Sequence, residues 1–394
     1  MIHSPAQRLR KPLIVAAAAA LIGISLTSCT SGAAAPASTT ALPQVDTADL
    51  LSGVCPATVV IQATWQPEVD QAPFYQLVGP DMTIDTEKKS VTGTLVDEGK
   101  DTGVKVEVRS GGPAIGFQAV SAQMYADTSI MLGSVPTEDR VAGAESQPTI
   151  GVFATRQISP VMLMWDPATH PDWTSIADIG KSDAAVVVPK GALFAQALVA
   201  QGVLKASQID ETYDGTPARF VSDPSIAQDG FVTSERYIYE HEVAQWNKPV
   251  DYQLVKDAGY DVYPDSLSIR SGDLETLTPC LTKLVPVLQR ALLGYLADPE
   301  PTNALLVTLA DQYNTGWVYS AGVASAGVEI AKELQLMTGT DPSVAAGGFG
   351  DARAESSFAL LTDTLGAGGV AIKPGLTVDD VFTNEFIDPT ITSK

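Results

Sequence analysis

Histidine is nearly missing from this 394-residue chain. It occurs only as His3, His170 and His241, and that scarcity removes whole classes of chemistry. A serine-histidine-aspartate arrangement needs an imidazole beside a nucleophile, and no Gly-x-Ser-x-Gly turn surrounds any serine. His241-Glu242 opens like a zincin helix, but Gln245 stands where the second zinc ligand belongs. Gly180-Lys181-Ser182 echoes a phosphate loop, yet its leading glycine is replaced by Ser175. Gly366-x-Gly368-x-x-Ala371 fits a dinucleotide fingerprint only in letters, because it follows a helical pattern and leaves too little chain for a βαβ unit, so it reads as a loop. No catalytic residue, metal or cofactor is expected. Basic residues are scarce too: 24 Lys and Arg face 46 Asp and Glu, for a net charge of −22. Such a surface repels phosphate backbones, and nucleic acid is excluded as a partner.

Long apolar runs are equally few. The only extended one, Leu13 to Leu26, is too short to span a bilayer comfortably and follows Arg8, Arg10 and Lys11, the layout of a processing leader over residues 1–28. It ends in Leu26-Thr27-Ser28-Cys29, which resembles the lipobox of bacterial lipoproteins and implies acylation of Cys29. A plain signal peptide cut elsewhere is the alternative. Thr30 to Asp46 is small and polar, and residues 29–54 are expected to form the anchor and a flexible linker. Cysteine is the third scarcity, with three in all. With Cys29 lipidated, Cys55 and Cys280 remain in an oxidising compartment, and a bridge between them is expected. Two separate buried thiols remain the alternative, since sequence does not show that the pair comes within reach.

What is present is ample core material, 45% apolar with 18% charged residues. A repeated grammar of strand, Gly- or Pro-containing turn and helix start runs along the chain. Thr58–Ala63 is a strand leading to a helix entered near Asp70, and 103–109 alternates valine with charge before Gly111-Gly112-Pro113. Ala184–Val188 is an apolar strand followed by Pro189-Lys190-Gly191 and a helix ending at Gly202. Strands alternating with helices predict an α/β fold with mostly parallel sheets flanked by helices. The last third reads as helices over Pro279–Leu296, Thr302–Tyr313, Ser320–Met337 and Ala352–Leu365, with Gly339 as a stop. Two sets of turns on either side of Val161–Trp165 predict two lobes: 55–160 with 265–394, and 161–264. Val161–Trp165 would carry the chain across and 260–270 would carry it back, leaving a cleft between.

The stretches "QDGFVTSERYIYEHEVAQWNKPVDYQLVKDAGYDVYP", "PCLTKLVPVLQRALLGYLADPEPTN", "YNTGWVYS" and "DDVFTNEFI" together resemble the substrate-binding lipoproteins of bacterial ABC importers. The branch is the one whose relatives take up nitrate, sulfonates and thiamine-type pyrimidines, and the similarity runs from Thr58 to Ile387. The resemblance implies a type II periplasmic-binding fold, two lobes joined by two crossing strands that close on a small molecule. It implies a lipid-anchored protein outside the cell membrane, an ABC permease and ATPase as partners, and a monomer that does not alter its ligand.

The strand-to-helix turns are then the expected walls. Trp65 and Gln66 follow the first strand, and Gly111, Gly112 and Pro113 follow the second. Lobe two offers Gly191, Ala192 and Phe194, then Asp229, Gly230, Ser234 and Glu235. Trp165 lies near the first crossing strand, and Trp317 sits in a loop able to reach the cleft. Core packing is the commoner role of such aromatics, and tight turns without ligand are the alternative for the glycines. In residues 228–242, Ser234 is an expected N-cap, Glu235 suits the first helical turn, and Tyr237, Ile238 and His241 share a face, with Tyr239 and Glu240 outward. That is a binding wall. The expected turns carry only Lys190 and Arg236 against an anion, so aromatics and carboxylates favour a thiamine-pyrimidine-like heteroaromatic, with Glu235 or Asp229 accepting from its nitrogens. Anion binding of the nitrate or sulfonate type, and a surface lipoprotein without transport, are the alternatives.

Overall fold

Val59, Val60 and Ile61 are buried on both faces of their strand, the signature of a central strand in a covered sheet. The computed structural model describes residues 41–393, so the leader, Cys29 and most of the tether lie outside the described residues. Leu42 onward forms one compact unit. Its strands are β1 Thr58–Gln62, β2 Thr83–Asp85, β3 Ser90–Asp97, β4 Lys100–Arg109, β5 Leu132–Pro136 and β6 Thr149–Phe153. They continue as β7 Val161–Trp165, β8 Val186–Val187, β9 Ile209–Asp210, β10 Ala227–Phe231, β11 Asp251–Leu254 and β12 Asp265–Arg270.

These make a large sheet ordered β2-β3-β4-β1-β5-β12-β6 and a small sheet ordered β11-β7-β10-β8-β9. The five strands β4-β1-β5-β12-β6 and the five strands β9-β8-β10-β7-β11 follow one plan: three parallel strands, one antiparallel, and a last strand antiparallel to that. The antiparallel member is in each case the first strand after the chain changes sheets, β7 following β6 and β12 following β11. Six of the ten strand pairings are antiparallel, so the sheets are mixed where mostly parallel ones were expected. The excess comes from these two exchanged strands and from the β2-β3-β4 meander, whose β3-β4 hairpin turns at Glu98-Gly99 with both φ angles positive. The changes of sheet occur in the buried stretch 154–160 and in 255–264, so β7 and β12 each belong to one sheet and the passages precede them.

Helix Leu274–Ala297 packs on the large sheet, Ala72–Tyr75 joins it to Glu300–Tyr313, and Ala321–Glu333 packs on Glu300–Tyr313 and reaches helix Glu235–His241 of the small-sheet side. The first begins five residues before Pro279, which read as a helix start. Thr278 and Thr282 hydroxyls donate to Leu274 and Thr278 carbonyls at 2.9 and 2.8 Å around the prolines. Helix Asp351–Ala367 lies on helix Thr137–Ala142 of the large-sheet side and on Leu193–Ala200 of the small-sheet side, so the C-terminal third does not pack with one sheet alone. The expected linker also stops early. Residues 43–54 are docked: the Val45 and Leu51 amides donate to Asp101 and Thr102 carbonyls, and Leu51 is fully buried. Cys55 and Cys280 are bonded, tying this segment to helix Leu274–Ala297 across 225 residues of sequence.

Candidate functional site

Parallel strands present backbone N–H groups at their carboxyl ends, where α/β proteins hold ligands. Because β7 and β12 run against their neighbours, their amino ends and both passages reach the same edge as the carboxyl ends of β1, β4, β5 and β10. That edge is where the two sheets meet.

On the large-sheet side, the loop after β1 carries Trp65, Gln66, Glu68 and Asp70. A Cβ on Gly111 would lie 2.3 Å from the Ala63 carbonyl oxygen, and one on Gly112, at φ +57°, would lie 2.7 Å from the Trp65 ring. These glycines seat Trp65; Pro113 continues their turn, half-buried. Trp65 is half-buried and packs on Phe117 at 6.0 Å and edge-on to Trp317 at 6.4 Å. Trp317 stacks on Tyr319 at 6.0 Å and donates from Nε1 to the Pro67 carbonyl at 3.3 Å. The Tyr319 hydroxyl accepts from the Val69 amide at 2.9 Å. Gln66 is buried and accepts from the Thr315 hydroxyl, which commits it to holding the loop.

The small-sheet side departs from expectation in several places. The Ser234 side chain makes no capping hydrogen bond; Glu235 instead folds back over Gly230 and accepts from the Phe231 amide at 2.8 Å. Tyr239, expected outward, is 2% exposed and its hydroxyl accepts from Gln228 Nε2 at 2.8 Å. Trp165 is also misplaced, because β7 runs antiparallel and sends its carboxyl end away from the shared edge, into a core contact with Trp173. Phe194 is likewise core, packed near Tyr260. Gly191 is exposed at φ +76° and donates to Glu211 Oε1 at 3.1 Å, with Ala192 half-buried beside it. His241 is exposed against Tyr237.

The join itself is a cluster of carboxylates that sequence did not assemble. Thr233 Oγ1 donates to Asp70 Oδ2 at 2.8 Å across it. Arg156, from the first passage, pairs with Asp70 at 3.1 Å and also with Asp265 at the start of β12, which accepts from Ser134 as well. Burial opposes the charge on Arg156, but Asp265 and Asp70 more than offset it and hold the guanidinium firmly protonated. Glu68 is pushed well above the usual carboxylate range by burial, with Asp70, Glu235 and Asp265 adding to the effect. Burial, with Glu235 adding, raises Asp229 in the same way. Glu235 rises to about 7 through burial and Asp70, against the lowering effect of the Phe231 amide. Tyr213, from the loop after β9, is raised by burial and then by Glu235 and Asp229. Glu68, Arg156, Tyr213, Asp265 and Tyr319 were therefore missed. Among the described residues, no three His, Cys, Asp or Glu are placed to hold a metal ion.

No family model matches the chain, and no curated protein is similar to it in sequence at a significant level. Solved structures do share its architecture. The periplasmic aliphatic sulphonate-binding protein of Escherichia coli matches with a TM-score of 0.51 at 15% identity, over 86% of this chain and 95% of that one. The ligand-binding component of an ABC-type import system from Staphylococcus aureus, solved with zinc bound, has a TM-score of 0.50 at 11% identity, over 84% and 99%. An ABC transporter protein from Parabacteroides distasonis has a TM-score of 0.51 at 7% identity, over 83% and 99%. At these identities the likeness establishes the fold, and the chain has the periplasmic-binding-protein fold with its two sheets.

Proposed function

We propose that this chain is the extracytoplasmic solute-binding component of an ABC importer, holding a small molecule between two closing lobes and passing it on unaltered. The observation that carries this reading is the join: strand ends from two sheets built on one plan converge there, and Thr233 donates a hydrogen bond to Asp70 from one side to the other. Two such halves linked by short passages suit a hinge, and a ligand bridging them stabilises closure through contacts present only when both sides touch it. The lobes follow the sheets, roughly 55–160 with most of 265–394, and 161–264.

The leader and the Cys29 lipobox support a lipid anchor on the outer face of the cell membrane, with permease and ATPase subunits as partners and the chain acting as a monomer. Trp65, Trp317 and Tyr319 supply the aromatic wall, Gly111 and Gly112 its seat, and Glu68, Asp229 and Glu235 the polar one. Lys190 and Arg236, the basic residues of the expected turns, are both exposed, and Arg236 lies over the Tyr252 ring. Arg156 is occupied by two aspartates. This distribution does not favour an anionic ligand.

The test is small-angle scattering on the purified protein with and without candidate solutes. A bound solute should shrink the radius of gyration and be recovered chemically unchanged. A solute that is converted, or one that binds with no closure, removes the importer reading. Mass spectrometry of membrane-extracted protein should find the acyl mass on Cys29, and Cys29→Ser should release the chain from the membrane.

A further inference from the structure

We propose that the cleft recognises an organic cation, a compact molecule with a protonated or quaternary nitrogen met by Glu68, Asp229 and Glu235 and a body lying against Trp65, Trp317 and Tyr319. The inference rests on the solute-binding reading and narrows it to one charge class.

Charge at the join does not balance within the chain. Glu68, Asp70, Asp229, Glu235 and Asp265 gather there against two buried cations among the described residues: Arg156 is paired with Asp70 and Asp265, and Arg140, near Asp265, is committed to the Val135 carbonyl and the Thr137, Ser266 and Ser268 hydroxyls. Glu68 is 3% exposed and Asp229 5% exposed, and among the described residues neither carboxyl group accepts a hydrogen bond or forms a salt bridge. A carboxylate buried without donor or counter-ion is costly, so such groups in folded proteins are paired, coordinated or kept protonated. Here the described residues supply no partner, and a ligand can.

The wall beside the acids fits the same ligand. Tyr319 feels both Glu68 and Asp70, and its ring stacks on Trp317, which meets Trp65 edge-on. Aromatic faces attract cations through their quadrupole, most strongly where water is excluded. On the other side, burial and then the charges of Glu235 and Asp229 raise the Tyr213 hydroxyl. Acids from both sides therefore reach the join at which Thr233 meets Asp70. An anion there would meet three carboxyl groups and no free base, and a neutral molecule would leave them unpaired.

Proton release should accompany binding. The groups facing Glu235 are Glu68, Asp70, Asp229, Tyr213 and Tyr239; those facing Glu68 are Asp70, Asp265, Glu235, Arg156, Tyr75 and Tyr319. An acid that keeps its proton until a cation arrives makes cation affinity rise with pH.

Calorimetry on the full chain at pH 6 and pH 8 tests this with thiamine and choline as cations, hydroxymethylpyrimidine as a near-neutral aromatic, and methanesulfonate and nitrate as anions. Expected is micromolar binding of a cation, strengthened about tenfold from pH 6 to pH 8 and weakened at least tenfold by Glu68→Gln or Asp229→Asn, with thermal stability retained. If methanesulfonate, nitrate or hydroxymethylpyrimidine binds with closure and the cations do not, solute binding stands and cation recognition falls. If none of the five binds, both fall. If Glu68→Gln and Asp229→Asn fold and bind the cation as the parent does, these acids are not its partners and the assignment is overturned.

Discussion

Thr233 Oγ1 donates a 2.8 Å hydrogen bond to Asp70 Oδ2, joining residues 163 apart in sequence, one in the turn after β10 and one in the turn after β1. Asp70 in turn pairs with Arg156, and Arg156 with Asp265, so the contact between the halves runs straight into the first passage and the start of β12. A ligand that disturbs Asp70 is therefore felt at the segments on which the halves would turn.

Thr233→Val should loosen the closed state selectively. Hydrogen bonds to charged groups contribute about 1.5–3 kcal/mol, and the substitution keeps the side-chain shape. The radius of gyration should rise towards that of an open form while the thermal midpoint changes little. An unchanged scattering profile would show that the join is held by other contacts.

Arg156→Met should unfold the protein more easily. It leaves Asp70 and Asp265, both nearly fully buried, without their cation, and breaking a buried pair this way costs about 3–5 kcal/mol. Urea denaturation measures it. Adding Asp70→Asn to Arg156→Met should recover part of the loss, because one uncompensated charge goes with the partner.

Glu235 gives the unliganded protein a pH dependence of definite sign. Its carboxyl rises from the ordinary 4.5 to about 7 in the fold, so between those values the folded chain holds more protons than the unfolded one. Its contribution to stability is full below about 4.5 and is lost as pH rises through about 7, with a slope of at most about 1.4 kcal/mol per pH unit for one proton. Glu68 and Asp229, also raised, act in the same direction. Glu235→Gln should flatten the fall in thermal midpoint between pH 5 and pH 7.5; a midpoint that climbs over that range in the parent protein contradicts the assignment.

The disulfide closes most of the folded chain into one loop. Replacing Cys55 with serine, or reducing the bond, should cost about 2–4 kcal/mol and lower the thermal midpoint by several degrees, with binding of the solute unaffected because the bond lies before β1 and away from the join. Calorimetric scans with and without reductant check it.

The sequence carried the local parts of this molecule and not the meeting of distant ones. Val104, Val106 and Val108 alternate with charge and become the buried face of β4, and Gly111-Gly112 marks the tight turn that seats Trp65. Asp229 and Glu235 were legible because they sit in one short, unusually acidic and aromatic stretch. Arg156 and Asp265, 109 residues apart, belong to no motif and become partners only when both passages reach the same sheet edge. Trp165 was misplaced for a related reason: nothing in Val-Met-Leu-Met-Trp tells which way β7 runs, and its direction decides which end reaches the cleft. The docked segment 43–54 was hidden by its small polar composition, which suits a tether, while its anchors are single residues, Val45 and Leu51.

Gly327 separates closure from folding. It lies within helix Ala321–Glu333, where glycine costs about 1 kcal/mol against alanine, so its presence needs a steric reason. A Cβ there would stand 2.6 Å from the Thr233 carbonyl oxygen and 3.2 Å from Val69 Cγ2, that is, against one residue from each side of the join. The Thr233 atom is backbone and cannot rotate away, so any side chain at 327 must push the small-sheet half off the helix. Gly327→Ala should thus improve the helix locally yet weaken solute binding at least tenfold, and Gly327→Val should hold the protein open in solution scattering. Because the helix keeps its packing on helix Glu300–Tyr313, both variants should melt cooperatively near the parent temperature. Full affinity in Gly327→Val, with a closed scattering profile, would mean that the halves do not move relative to each other at this contact.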